Sequence, residues 1–229
     1  FQERNIDLVK KLKIVLTSNH KNLLICVLNI WNNKIINLEK SVYWFELHHI
    51  LKHSHTWKKL LSKNQLYGDA FITRPYITIQ DKTRSEAIFA KLKSIWKDKN
   101  VVLIEGEKSR NGVGNDLFDN VKSLQRILCP AENAYSKFDT ILRSAFMVDK
   151  KTLILVSLGP TAKPIAYELF LAGYRVIDIG HIDMEYEMFL KQAKNFVEVK
   201  YKYFNEINAR NPDNCTDEEY QKVIIAVIT

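Results

Sequence analysis

Residues 101–118, VVLIEGEKSRNGVGNDLF, carry an apolar run straight into a loop that holds both signs of charge and three glycines. Lys108 and Arg110 are cations suited to a diphosphate, whose oxygens accept charge-assisted hydrogen bonds. Gly112 and Gly114 let peptide N–H groups approach a ligand with no Cβ in the way, and Gly106 marks the sharp turn that ends the run. Glu105 and Glu107 share the loop, so it suits a ligand that presents phosphates together with hydroxyls or a metal ion, with Glu107 a candidate metal ligand. Asn115 and Asp116 follow as caps of a next helix or as contacts to a ribose. The spacing matches neither the Walker loop nor GxGxxG, and an exposed charged turn accounts for it equally well. A second stretch, residues 157–170, places Gly159, Pro160 and Thr161 between a strand and a helix. Proline has no N–H to lose there, Thr161 can cap, and a helix start favours an anion. Asp178 follows Gly159 by about the 20 positions of a dinucleotide fold, but that fingerprint's second and third glycines are missing. The third stretch, DIGHIDMEYE from Asp178, sets His181 and Asp183 two apart just past a strand. Such a pair can bind a divalent metal, orient a hydroxyl or transfer a proton. Glu185 and Glu187 read as the start of a solvated helix.

These groups need a scaffold that brings them together. The apolar periodicity predicts helix 84–97, strand 101–104, helix 116–127, helix 134–146, strand 152–157, helix 161–171 and strand 175–178. Helices alternating with short apolar strands imply an α/β, Rossmann-like, mostly parallel sheet covered on both faces. Ligands of such sheets bind beyond the carboxyl ends of the strands, where all three stretches fall, so one shared cleft is expected. Earlier, residues 7–18 read as a helix and 23–30 as a buried strand. Residues 31–61 read as an aromatic-rich helical region with Trp31, Tyr43, Trp44, Phe45 and Trp57. His49 and His53 there are four apart without an acidic partner, which favours a structural role over a metal site. Residues 67–79 read as an extended run with a turn at Gly68 and Asp69, interrupted at Arg74 and Pro75 as at a sheet edge or near a site.

The 229 residues, 46% hydrophobic and 26% charged, suffice for one domain over 1–229. A formal charge of +8 suits nucleic acid, anionic membrane surfaces or phosphorylated small molecules, and the scattered lysines weaken the first two. KHSHTWKK at 52–59 reads as a solvated helix end. Three widely spaced cysteines fit a reducing, cytoplasmic setting, with Cys26 a core residue. No stretch has the roughly 18 to 20 apolar residues of a transmembrane segment. Because the first residue is Phe, the chain is expected to begin inside a longer one.

GEKSRNGVGNDLFDN, CPAENAY and SLGPTAKPIAYELFLAGYRVIDIGHIDMEYEMF, with the opening FQERNIDLVKKLKIVL and the closing KYFNEIN and EEYQKVIIAVI, resemble the bacterial glycosyltransferases of the GT-D fold along nearly the whole chain. The resemblance implies a metal-dependent hexosyltransferase that takes a UDP-sugar, UDP-glucose or UDP-galactose, with Mn²⁺ or Mg²⁺. Its acceptor would be a glycan on a bacterial surface protein or polysaccharide. Arg110, Lys108 and the Gly112 and Gly114 amides are then expected at the diphosphate, with Gly159, Pro160 and Thr161 beside the nucleotide. His181 and Asp183 are the expected catalytic pair, and Glu107 and Asp183 the metal candidates. The family's acidic Asp-x-Glu motif lies ahead of the position equivalent to Phe1. Two other classes stay open: a catalytically silent nucleotide-binding domain, and an NAD-dependent enzyme favoured by the Gly159 to Asp178 spacing.

Overall fold

Strand β3, Asn100–Gly106, is buried along all but its first residue, and it forms the centre of the molecule in the computed structural model. Residues 2–28, 37–207, 209 and 211–229 are described. β3 is flanked by β4, Ser123–Cys129, and β5, Leu153–Ser157, with β6, Arg175–Asp178, and β7, Ile224–Val227, at the edges. The order is β6-β5-β3-β4-β7 and every pairing is parallel. A parallel sheet must be covered on both faces, and the alternation of side chains along each strand divides the core accordingly. Val102, Ile104, Ile154 and Val156 point to one face, where α1, Ile6–Thr17, α4, Phe138–Phe146, and α5, Ala162–Leu171, close over them through Leu8, Ile141 and Ile165. Val101, Leu103, Leu153 and Leu155 point to the other, against Phe89 and Trp96 of α3, Ser85–Trp96, and Ile182 and Met188 of α6, Ile182–Leu190.

The α/β architecture and parallel sheet implied by the sequence are present, but one predicted helix is not. Residues 116–127 form turns and then β4. Leu117, Val121, Leu124 and Leu128 recur at helical spacing, which explains the misreading. Leu117 and Phe118 are drawn into the core instead, and Trp96 Nε1 donates to Leu117 O at 3.0 Å, which fixes the turn before β4.

A smaller unit adjoins the sheet. β1, Cys26–Val27, pairs in parallel with β2, Gly68–Asp69, so Gly68 and Asp69 are strand residues and not a free turn. Of the predicted strand 23–30 only Cys26–Val27 forms; its last two positions and Trp31 lie outside the described residues. Cys26 is exposed and not in the core, while its neighbours Ile25 and Val27 are buried. Beyond Asp69 the run 67–79 is not extended: Ala70–Thr73 is a 3-10 turn whose Phe71 N–H is capped by Asp69. α2, Lys40–Leu60, covers this unit through Trp57.

Trp96 is nearly fully buried and its indole satisfies a core carbonyl. Trp96→Ala is expected to cost about 3–5 kcal/mol, read from the urea unfolding midpoint with the slope unchanged.

Candidate functional site

At the carboxyl end of β3 the chain folds back on its own strand. Glu105, fully buried, forms an ion pair with Arg126 of β4, and its Oε2 accepts from Asn111 N at 2.8 Å and Asn111 Nδ2 at 2.6 Å. Arg126 also donates to Asn111 O at 2.8 Å. Further along, Gly112 N donates to Asp183 Oδ1 at 2.7 Å, and Asn115 Nδ2 reaches Asp183 at 2.9 Å and Glu187 at 2.7 Å. Lys202, 1% exposed, sets its ammonium 2.7 Å from Asp183 and 2.9 Å from Glu187. Both glycines have positive φ, 80° at Gly112 and 78° at Gly114, and a Cβ on Gly112 would lie 2.6 Å from the Phe118 ring. Gly112 therefore lets the loop press onto Phe118 and hand its amide to Asp183, whereas at Gly114 the positive φ is the only constraint.

The predicted residues consequently divide. Arg110, 7% exposed with φ 48°, donates through one guanidinium nitrogen to Tyr201 O at 2.5 Å and Asp213 O at 2.7 Å, so it straps the segment after α6 to the loop. Lys108 donates to Asn211 Oδ1 at 3.2 Å, and Asp116 pairs with Lys93 and Tyr186. Asn115 Oδ1 accepts from Leu117 N, and no helix follows for it or Asp116 to cap. Asp183 is buried beside Lys202, and Glu107 is exposed. Glu185 and Glu187 are buried within α6, not solvated. Among the described residues no three His, Cys, Asp or Glu side chains converge on a metal position, and the rings of His49 and His53 meet on α2 at a tilt of 47° with centroids 4.8 Å apart. Of the two metal candidates, Glu107 faces solvent and Asp183 lies against the Lys202 ammonium that it shares with Glu187.

A cleft of about 850 Å³, its open mouth included, lies at the carboxyl edge of the sheet. Gly106, Ser109 and Asn111 line it from the β3 loop, Gly159, Pro160 and Lys163 from the β5 turn, and Gly180 and His181 from the β6 turn. The three junctions thus meet in one place. Gly159–Thr161 is a 3-10 turn with Pro160 at its start, leading into α5; Thr161 makes no cap, its hydroxyl donating to Gln2 Oε1 at 3.2 Å. Lys163 Nζ bonds Gly159 O at 3.1 Å and Asp178 Oδ2 at 3.0 Å. Asp178, which the dinucleotide reading reserves for ribose hydroxyls, is thereby engaged.

His181 also lines the cleft, with its side chain 37% exposed. Burial of the ring's other side, and then the Arg74 guanidinium, hold it below its ordinary value, so it is neutral near pH 7. Arg74 approaches Nδ1 at 2.7 Å, and because arginine only donates, Nδ1 accepts and Nε2 carries the proton, which it gives to Glu206 Oε1 at 3.2 Å. Arg74 also meets Glu206 at 3.1 Å. The Arg74-Pro75 interruption is therefore a loop at the cleft. Sequence reasoning missed Arg126, Lys163, Lys202 and Glu206. Lys163 carried a signal as a cation in the first turn after GPT, and Lys202 and Glu206 lie within KYFNEIN, a stretch that the resemblance covers without a role for either residue.

A parallel sheet flanked by helices, with a cleft at its carboxyl edge walled by glycine-bearing turns, defines a Rossmann-like α/β domain. The chain belongs to the glycosyltransferase GT-D fold family, which it matches over residues 1–207. It is 37% identical over 229 residues to a probable glycosyl transferase Gly of Streptococcus gordonii, covering 99% of this chain and 33% of that protein. It is 34% identical to the glycosyltransferase GlyD of Streptococcus pneumoniae serotype 4, covering 100% of this chain and 28% of that one. A solved structure of the highly conserved domain of unknown function 1792, reported to have a distinct glycosyltransferase fold, superposes with a TM-score of 0.94 at 37% identity, covering 100% of this chain and 83% of that chain. The chain spans about a third of the length of the curated relatives it matches.

Two buried carboxyls make opposite predictions with pH. Glu187 is held below its ordinary range: burial opposes this, but Lys202 and Asn115 outweigh it. Its stabilisation is present above the unfolded value and lost as pH falls through the folded one. Lys202→Met, which strands both carboxylates, is expected to cost about 3–5 kcal/mol, and Asp183→Asn with Glu187→Gln in that background to recover part of it, measured by urea unfolding. Burial pushes Glu185 up to about 7, although its Oε2 accepts from Tyr76 N and Ile77 N at 2.9 and 2.7 Å. Its contribution is complete below the ordinary value of 4.5 and lost as pH rises through about 7. Glu185→Gln should flatten the fall in unfolding free energy across that window; an unchanged slope would assign it to other groups.

Proposed function

We propose that this chain binds a nucleotide sugar in the carboxyl-edge cleft and transfers its sugar to a glycan acceptor on a bacterial surface protein or polysaccharide, with UDP-glucose or UDP-galactose as donor. The observation that carries the reading is the meeting of three strand-end junctions on one cleft in a chain of this family. The relatives' names support the transferase class.

In such a transfer the glycosidic bond to the diphosphate breaks as an acceptor hydroxyl attacks, and negative charge accumulates on the leaving diphosphate. The Gly159–Thr161 turn at the head of α5 and the Lys163 ammonium are the groups facing the cleft that best stabilise that charge. Ser109 and Asn111 supply neutral polar contacts from the opposite lip. Neutral His181, its tautomer fixed by Arg74, presents a ring to sugar or acceptor hydroxyls. Arg110, Gly112, Gly114, Asn115 and Asp183 act one step back, by holding the lip in position. Mn²⁺ or Mg²⁺ belongs to the reading as an addition to be tested, with no step assigned to it.

UDP is expected to raise the melting temperature, with and without Mn²⁺ or Mg²⁺, by mass action on the folded state, and NAD is not. Lys163→Ala should lower turnover of a UDP-sugar, followed as released UDP, by roughly 10- to 1,000-fold with little change in stability. Stabilisation by NAD and not by UDP at saturation would overturn the donor assignment, and UDP binding without turnover would leave a silent nucleotide-binding domain.

A further inference from the structure

α2 is the longest helix among the described residues, 21 residues, yet Ile50 is its one fully buried side chain. Its inner side leans on the small β1–β2 unit through Trp57. The outer side is not the usual charged face of a surface helix. Trp44, Phe45 and Leu51 are 65%, 70% and 70% exposed, and Ser41, Trp44, His48, Leu51, His55 and Lys58 follow one another at three- and four-residue steps, so they share one stripe. Lys52 and Lys59 flank it, both exposed. The helix carries four lysines, Lys40, Lys52, Lys58 and Lys59, against one acidic residue, Glu46, which is only half-exposed.

The geometry points to an anionic lipid surface as the occupant of this face: we propose that α2 seats the protein on a bilayer, lying in the interface. Large aromatics with leucine and a lysine-rich flank are what an interfacial helix uses, the rings entering the headgroup boundary and the ammonium groups meeting anionic lipid. Among the described residues no helix is long and apolar enough to cross a membrane, so the contact is with the surface. A second copy fits less well. An isologous contact would set this lysine-bearing patch against itself, in a chain of net charge +8. The proposal does not depend on the donor reading, because α2 contributes nothing to the lining of the cleft.

The test is flotation of the full 229-residue chain with vesicles of mixed phosphatidylcholine and phosphatidylglycerol, beside pure phosphatidylcholine. Binding to the anionic vesicles alone is expected, falling as salt shortens the screening length from about 10 Å at 0.1 M to about 3 Å at 1 M. Trp44→Ser with Phe45→Ser should reduce it at least tenfold. Each neutralisation among Lys52→Gln, Lys58→Gln and Lys59→Gln should weaken it by roughly fivefold. All these positions are exposed, so the melting temperature should hold, and the UDP-induced shift in melting temperature should be unchanged. No binding to anionic vesicles, equal binding to neutral ones, or binding that survives both sets of substitutions would overturn the proposal. So would self-association in sedimentation, or capture of an acidic protein, that is lost in Trp44→Ser with Phe45→Ser while vesicles remain unbound.

Discussion

Burying a carboxylate is affordable only beside a cation or several donors, and this constraint organises the active edge of the molecule. Glu105 at the end of the central strand is answered by Arg126 from the neighbouring strand, and Asp183 and Glu187 on α6 are answered by Lys202 from the irregular segment beyond. Between the two ion clusters runs the glycine loop, whose amides and asparagines fill the remaining lone pairs. Removing either cation would leave a buried carboxylate without its charged partner. The loop is therefore rigid by electrostatic necessity, although its composition reads as that of a flexible turn.

That rigidity has a functional meaning. The lip of the cleft formed by Gly106, Ser109 and Asn111 is fixed to the sheet from below, so groups that meet a ligand need no reorganisation when charge develops. The other walls are built differently. Lys163 is half-exposed and shared between a carbonyl and Asp178, and the Arg74, His181 and Glu206 cluster is solvent-touched. The cleft thus has one immobile lip and two walls whose charged groups can exchange partners.

The parallel sheet was legible because Val101, Leu103, Leu153 and Leu155 sit in continuous apolar runs, which a doubly covered strand demands. β4 was not legible, because its leucines also satisfy a helical period and nothing local reveals that Arg126 is buried opposite Glu105. The same gap separates position from role at the site. The junctions that meet at the cleft follow from strand direction alone, whereas the orientation of Arg110 or Asp183 depends on Tyr201 and Lys202, whose stretch KYKYF shows locally neither which side chain is buried nor what it meets. A charged side chain in a loop looks the same in sequence whether it faces a ligand or a buried partner far along the chain.

The separations involved carry a consequence for how the chain acquires its structure. Gly112 and Asn115 find their carboxylate partners 71 and 68 to 72 residues later, and Arg110 its carbonyls 91 and 103 residues later. β7, which closes the β4 edge, comes at the very end of the sequence given. During synthesis β3, β4 and the β3 loop are made before α6, whose Asp183 and Glu187 the loop meets, and before β7, which covers the β4 edge. The contacts that latch the β3 loop and cover the sheet edge are therefore long-range in sequence, and closure over such separations is slow.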